Sequence, residues 1–216
     1  MNMLVMVILG KKMRDTFKIF ANPGPTPTEQ LLQSLKVGYT RNSNGTYDVL
    51  GSIDVSSRDM DELPDLSLVR LEGSFFCDNN RLVSLKGAPQ HVGGDFVCSG
   101  NKLETLEFAS RTVGGKFKCG GNRLTSFAGG PEAVGLRVTA LSNPITSAEG
   151  APRSFKSLNC DLGSFDSPAD FIEKVAALKA EEREQRAAAL ERAAAEAVVL
   201  SDTLKVSRPI TFRGLS

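Results

Sequence analysis

Apolar residues in this chain recur at fixed long intervals, a pattern that is neither the two-residue alternation of a lone strand nor the spacing of a helix. Phe75, Phe96, Phe117 and Val138 stand 21 residues apart, and Leu158 follows after 20. Two positions later come Cys77, Cys98, Cys119, Ala140 and Cys160. Three more give Asn80, Asn101, Asn122 and Asn143, then Gly163 in the fifth slot. Leu82, Leu103, Leu124, Ile145 and Phe165 come next, followed by Leu85, Leu106, Phe127 and Ala148. Upstream, Ile53, Val55, Met60 and Leu63 fit the same frame with one extra residue, and Arg58 replaces the asparagine. The pattern therefore defines five rungs, with a sixth before them.

Self-similarity at this period predicts a solenoid, because one rung cannot bury its own apolar face and must stack on neighbours. In each short strand, such as "DFVCS", the Phe and Cys positions point inward and the residue between them outward. The asparagine at the turn leaving the strand is expected to bond main-chain groups that burial would leave unpaired, and its copies to stack as a ladder. The Gly93–Gly94 and Gly114–Gly115 pairs are expected to permit the bend that feeds the next strand.

The pattern changes after Asp166. Ser167 is an N-cap candidate, Pro168 suits the first helical position and Asp170 the first turn. A helix without a breaker is predicted to about Leu204. Phe171, Ile172, Val175 and Leu178 form a stripe at helical spacing that is expected to seal the last rung. Beyond it "KAEEREQR" is polar on every side, with Glu182 four residues before Arg186. Leu190, Ala194, Ala197, Val198 and Leu204 then restore a weak apolar face. Two readings follow: an arm that meets a partner or a second copy, or a long cap folded back on its own domain. Pro209 excludes helix from "LKVSRPITFRGLS", which reads as an extended tail able to add a strand to a partner's sheet or to fray.

Ahead of the repeats, "ANPGPTPTEQLLQSLKVGYT" reads as a Pro-rich linker and a short helix from near Thr28, capping the amino end. The apolar run before it, "MLVMVIL", is seven residues, far short of a membrane span. Lysines follow that run instead of preceding it, the reverse of a signal peptide. It reads as a packed opening strand, or as incidental if Met13 and not Met1 is the natural start. The chain thus divides into an N-terminal segment and cap (1–46), a solenoid (47–166), a helix (167–204) and an extended tail (205–216). The fold class is α+β.

Composition removes several function classes. Twenty-six basic residues face twenty-five acidic ones, so the basic excess of a nucleic-acid binder is missing. His91 is the one histidine of the chain, which leaves no imidazole cluster for a metal. Zinc cysteines come in close pairs, whereas these come singly, 21 apart, in a slot where Ala140 serves equally well. They read as small buried apolar residues, with neither metal nor cofactor expected.

The order apolar-x-apolar-x-x-Asn-x-Leu-x-x-Leu resembles the leucine-rich repeat, with Phe and Cys in strand slots often filled by leucine. The wording "LVSLKGAPQHVGGDFVCSGNKL" resembles a class of about 21-residue repeats abundant in tailed bacteriophages and some bacteria, and "NGTYDVLGSIDVSSRDMDELP" resembles the way such arrays begin. The resemblance covers about residues 45–165. It departs at Arg58 and Gly163, which replace the asparagine, and at "LEFAS", which replaces "L-x-G-A-P". It implies a leucine-rich-repeat solenoid of five to six rungs and brings no catalytic residues with it.

The exposed strand face is where such solenoids commonly bind. Its central row is Asp54, Phe76, Val97, Lys118, Thr139 and Asn159. The row before it is Ser52, Ser74, Asp95, Lys116, Arg137 and Ser157. Asp54, Phe76, Val97, Asp95, Lys116, Lys118 and Arg137 are the candidate protein-binding residues: an acidic start, two apolar side chains, then basic charge. The bland reading of the same row is scattered surface residues. Contact of the basic trio with a phosphate backbone is disfavoured, since it is small and lacks interleaved aromatics.

The function expected is a non-enzymatic scaffold for protein partners, without nucleic acid or membrane. One use is anchorage among phage structural proteins in a virion through the helix and tail, with a homo-oligomer through the helix as another outcome. The other is a free adaptor or inhibitor in the host-cell cytoplasm, docking on a host protein through the strand face. Bacterial secreted ubiquitin ligases also carry leucine-rich repeats, but follow them with a large catalytic domain. Here about fifty residues follow the array and none is Cys or His.

Overall fold

The structure, a computed structural model, describes residues 24–206. The N-terminal apolar run and the tail beyond Val206 lie outside the described residues. The architecture is a β-solenoid of parallel strands, opened by a short helix and closed by a long one.

Helix α1 (Pro27–Ser34) begins one residue before the predicted start. Thr26 and Glu29 form a reciprocal capping box, and proline occupies the first helical position. Leu32 on α1 is fully buried, so the helix covers the amino end of the array. A hairpin of β1 (Tyr39–Arg41) and β2 (Tyr47–Val49) follows, and the Thr26 hydroxyl and Tyr47 phenol share a hydrogen bond of 2.8 Å.

Each turn of the repeat then contributes two strands, where the sequence pattern pointed to one. After β3 (Ile53–Asp54), the pairs are β4 (Val69–Leu71) with β5 (Phe75–Phe76), and β6 (His91–Val92) with β7 (Phe96–Val97). They continue as β8 (Thr112–Val113) with β9 (Phe117–Lys118), then β10 (Ala133–Val134) with β11 (Arg137–Thr139). Strands β12 (Ser157–Cys160) and β13 (Gly163–Phe165) end the array. One sheet runs β1-β2-β4-β6-β8-β10 and the other β13-β12-β11-β9-β7-β5-β3. All pairings are parallel except β1–β2 and β12–β13. Each sheet is therefore closed at one edge by a hairpin, at opposite ends of the solenoid. The overlooked sheet has its own 21-residue signal: Leu71, Val92, Val113 and Val134 are all buried.

The two strands of a turn meet at the glycine corner, and the reason for glycine there differs from the expected one. Gly93 and Gly94 do not have positive φ. A Cβ on Gly93 would instead lie 2.6 Å from the Glu72 carbonyl oxygen, and one on Gly94 2.8 Å from the Gly73 carbonyl. Each corner stacks on the one before it closely enough to exclude a side chain.

The interior follows the predicted register. Phe75, Phe96, Phe117, Val138 and Leu158 are fully buried, and so are Leu82, Leu103 and Leu124. The phenylalanine rings stack down the axis, with centroids 5.3 Å apart for Phe75–Phe96 and 5.6 Å for Phe96–Phe117. The asparagines tie turns together. The Asn101 Nδ2 donates to the carbonyls of Cys98 (3.1 Å) in its own turn and Cys77 (3.0 Å) in the preceding one, while its Oδ1 accepts from the Leu82 amide at 3.1 Å. Asn122 and Asn143 repeat this pattern, and Asn80 bonds the amides of Arg58 and Met60 in the irregular first turn. The ladder thus runs through backbone, not from amide to amide. At its carboxy end Gly163 is not the substitute. Asp161 is, accepting from the amides of Ser142 (3.0 Å) and Asn143 (2.8 Å).

Helix α2 (Pro168–Val206) starts as the sequence predicts, with the Asp170 amide donating to the Ser167 hydroxyl at 3.2 Å. Phe171 is fully buried between Phe127 (5.6 Å) and Phe165 (5.3 Å), and Val175 is buried one turn on. The expected four-residue stripe is narrower, because α2 touches the array only at its base. Ile172, about 100° round the helix from Phe171, is 50% exposed, and Leu178 is half-buried. From Lys179 to Leu200 every residue is exposed, so α2 does not fold back along the solenoid over that stretch. At 39 residues the helix is about 58 Å long.

Candidate functional site

The outward row of the second sheet is assembled as read. Register pairs Asp54 with Phe76, Phe76 with Val97, Val97 with Lys118, Lys118 with Thr139 and Thr139 with Asn159. Phe76 and Val97 are adjacent and half-buried, Asp54 is exposed, and Lys118 is half-buried beside them. The Asp54 carboxylate accepts from the Ser56 hydroxyl (2.6 Å) and amide (2.9 Å), bonds that hold its pKa below the ordinary carboxylate value.

The neighbouring row has a structural duty that the sequence did not disclose. The Ser74 amide donates to the Ser52 hydroxyl at 2.9 Å, the Asp95 amide to the Ser74 hydroxyl at 2.9 Å, and the Lys116 amide to Asp95 Oδ1 at 2.7 Å. These side chains form a second ladder at the strand entrance. Asp95 thus commits one carboxylate oxygen to holding the next turn, while Lys116 and Arg137 are exposed. Arg137 donates from Nε to the Ser157 hydroxyl at 3.2 Å.

The cysteines lie inside. Cys77, Cys98 and Cys119 have no exposed surface, Cys160 is 3% exposed, and all four are free. Burial pushes the Cys77, Cys98 and Cys119 thiols far up and raises Cys160 as well, so at neutral pH these buried thiols stay protonated. Among the described residues, no three of His, Cys, Asp and Glu stand together as a metal site. No helix among them is long and apolar enough to cross a membrane.

The sequence reading missed a groove beside the first turns. It encloses about 480 Å³ and is lined by Leu63, Val83 and Phe108 with Asp61, Glu62 and Asp65. Phe108 stands where the other turns place Gly87, Gly129 and Gly150, and shares their left-handed backbone. The departure of "LEFAS" from the repeat was the visible signal. Next to the aromatic, Ser110 replaces a proline and its buried hydroxyl donates to the Pro89 carbonyl at 2.5 Å. At the rim, Arg81 bonds both Asp61 oxygens at 3.0 and 3.1 Å, which lowers the Asp61 pKa.

Comparison with family models finds no match to this chain, and neither the curated proteins nor the solved structures provide one.

Proposed function

We propose that the protein is a non-enzymatic protein–protein interaction scaffold, held in a larger assembly by its helical arm. The observation that carries this reading is the arm itself. Among the described residues its buried anchors are Phe171 and Val175, and residues 179–198 are exposed, including Leu190 (74% exposed) and Val198 (61%). A helical stretch exposed on every side gains little from its domain and is suited to burial against another chain. The repeat wording, which resembles the leucine-rich repeats of tailed phages, favours structural proteins of a virion as the assembly. A second copy meeting the same helix face is the self-association form of this reading.

The alternative, a free adaptor or inhibitor docking on a host protein, rests on the Phe76–Val97 pair between Asp54 and Lys118. Affinity capture from the native source separates the two. The baits are the full chain, a chain ending at Leu178 and a Phe76→Asp/Lys118→Glu variant. Ending at Leu178 keeps Phe171 in the core, where a cut at Asp166 would uncap it. Loss of particle proteins on truncation alone supports the arm. Loss of a cellular protein from the face variant alone rejects the arm in favour of the adaptor.

A further inference from the structure

The strand-face sheet has an open edge at its amino end, and the repeat changes its letters there. The β12–β13 hairpin closes this sheet at the carboxy end, but β3 has no strand beyond it among the described residues. Such an edge is a template for another strand. Within the array, one carbonyl of each strand serves the turn before it. Phe76 accepts from the Val55 amide at 2.8 Å, Val97 from Cys77 at 2.9 Å, Lys118 from Cys98 at 2.8 Å and Thr139 from Cys119 at 2.9 Å. The equivalent carbonyl on β3 is that of Asp54, and no strand precedes it in this sheet.

Arg58 takes that carbonyl. Its Nη2 donates to the Asp54 backbone oxygen at 2.8 Å, the length of the ladder bonds further in. The Val55 and Ser57 amides face the second turn, bonding Phe76 and Asp78, so the Ser56 amide between them faces the open side. It donates to the Asp54 carboxylate at 2.9 Å, and the Ser56 hydroxyl holds the same oxygen at 2.6 Å. In a parallel ladder, one residue of an arriving strand takes this carbonyl and this amide together. The inner turns place asparagine in the slot of Arg58, where it reaches the turn before, as Asn80 Nδ2 reaches the Val55 carbonyl at 3.0 Å. At the first turn an asparagine would find no such partner, whereas arginine is long enough to fold back on its own strand. Asp54 and Arg58 are both exposed, so core packing does not account for them.

We propose that Asp54, Ser56 and Arg58 form an edge guard that denies this backbone carbonyl and amide to the β3 strand of a second copy. The guard keeps the solenoid ends of two copies apart and leaves assembly to other surfaces of the molecule. Asp54 then serves the edge and not the docking row.

Sedimentation of the full chain at matched concentration tests this on the unaltered protein, Arg58→Ala and Asp54→Ala/Arg58→Ala. The expected result is that the double variant forms assemblies of at least double the unaltered mass, with an unchanged circular dichroism spectrum. Hydrogen exchange should then show the Asp54 and Ser56 amides slowed several-fold in the assembly. Where the double variant loses its β signal, Arg58→Ala alone is decisive, because it frees the carbonyl and leaves the Asp54–Ser56 bonds in place; the same rise in mass is expected. A folded variant of unaltered mass would overturn the proposal. So would loss of the β signal in both variants, which means that the contacts hold the strand itself, or an assembly whose new protection lies in the arm and not at residues 54–56.

Discussion

The solenoid body and the helical arm both carry large apolar residues and use them in opposite ways. In the body, the Phe and Cys positions of each turn are buried, and Asn80, Asn101, Asn122 and Asn143 each bond their turn to the one before. In the arm, Leu190, Val198, Val199 and Leu200 are 61 to 74% exposed. The body is specified by long-range contacts that only repetition can supply. The arm is specified locally, by alanine and charged residues of high helix propensity and by one well-capped start. The contrast shows where packing on the domain ends: from Lys179 to Val198 every residue is exposed.

Substitutions can break or sharpen that contrast. The largest effect should come from Phe96→Ala, which empties the middle of the ring stack and should cost about 3 to 5 kcal/mol in chemical denaturation. Asn101→Ala should follow, at about 2 to 4 kcal/mol, because it strands the buried Leu82 amide and removes the tie between two turns. Gly114→Ala forces a Cβ into the Gly93 carbonyl and should cost about 1 to 3 kcal/mol, although nothing is removed from the core.

A pH titration gives a smaller effect with a definite sign. Unfolded thiols ionise near about pH 8.5, while the buried Cys77, Cys98 and Cys119 keep their protons well above it. The folded state therefore binds more protons there, and stability should fall as pH rises past about 8.5. A variant with Cys98→Ala should show a shallower decline. At the bottom of the scale, Leu190→Ala in the arm should change stability by no more than about 0.5 kcal/mol. A loss as large as that of Phe96→Ala would mean that the arm packs on its own domain.

How much was legible depended on whether a residue's role repeats. The inward slots, the asparagine ladder and the α2 start could be read because spacing and capping chemistry reveal them. The β1-β2-β4-β6-β8-β10 sheet was missed because its buried valines sit beside the conspicuous glycine pairs. The reason for those glycines was hidden too, since backbone contact between turns leaves the same letters as a left-handed bend. At the strand face, position was read correctly, but the engagement of Asp95 in turn-to-turn bonding depends on a register of single atoms. The Phe108 groove needs three loops brought together, which no single window contains.

Hydrogen exchange of the full chain, measured alone and again when captured on its partner, tests the central claim most directly. The account predicts that amides over residues 179–200 exchange quickly in the isolated protein while those of the strands around Phe96 and Phe117 are protected, and that capture slows the arm and leaves the strand face unchanged. Slow arm exchange in the isolated monomer, or new protection at Phe76 and Val97 with none in the arm, would contradict it.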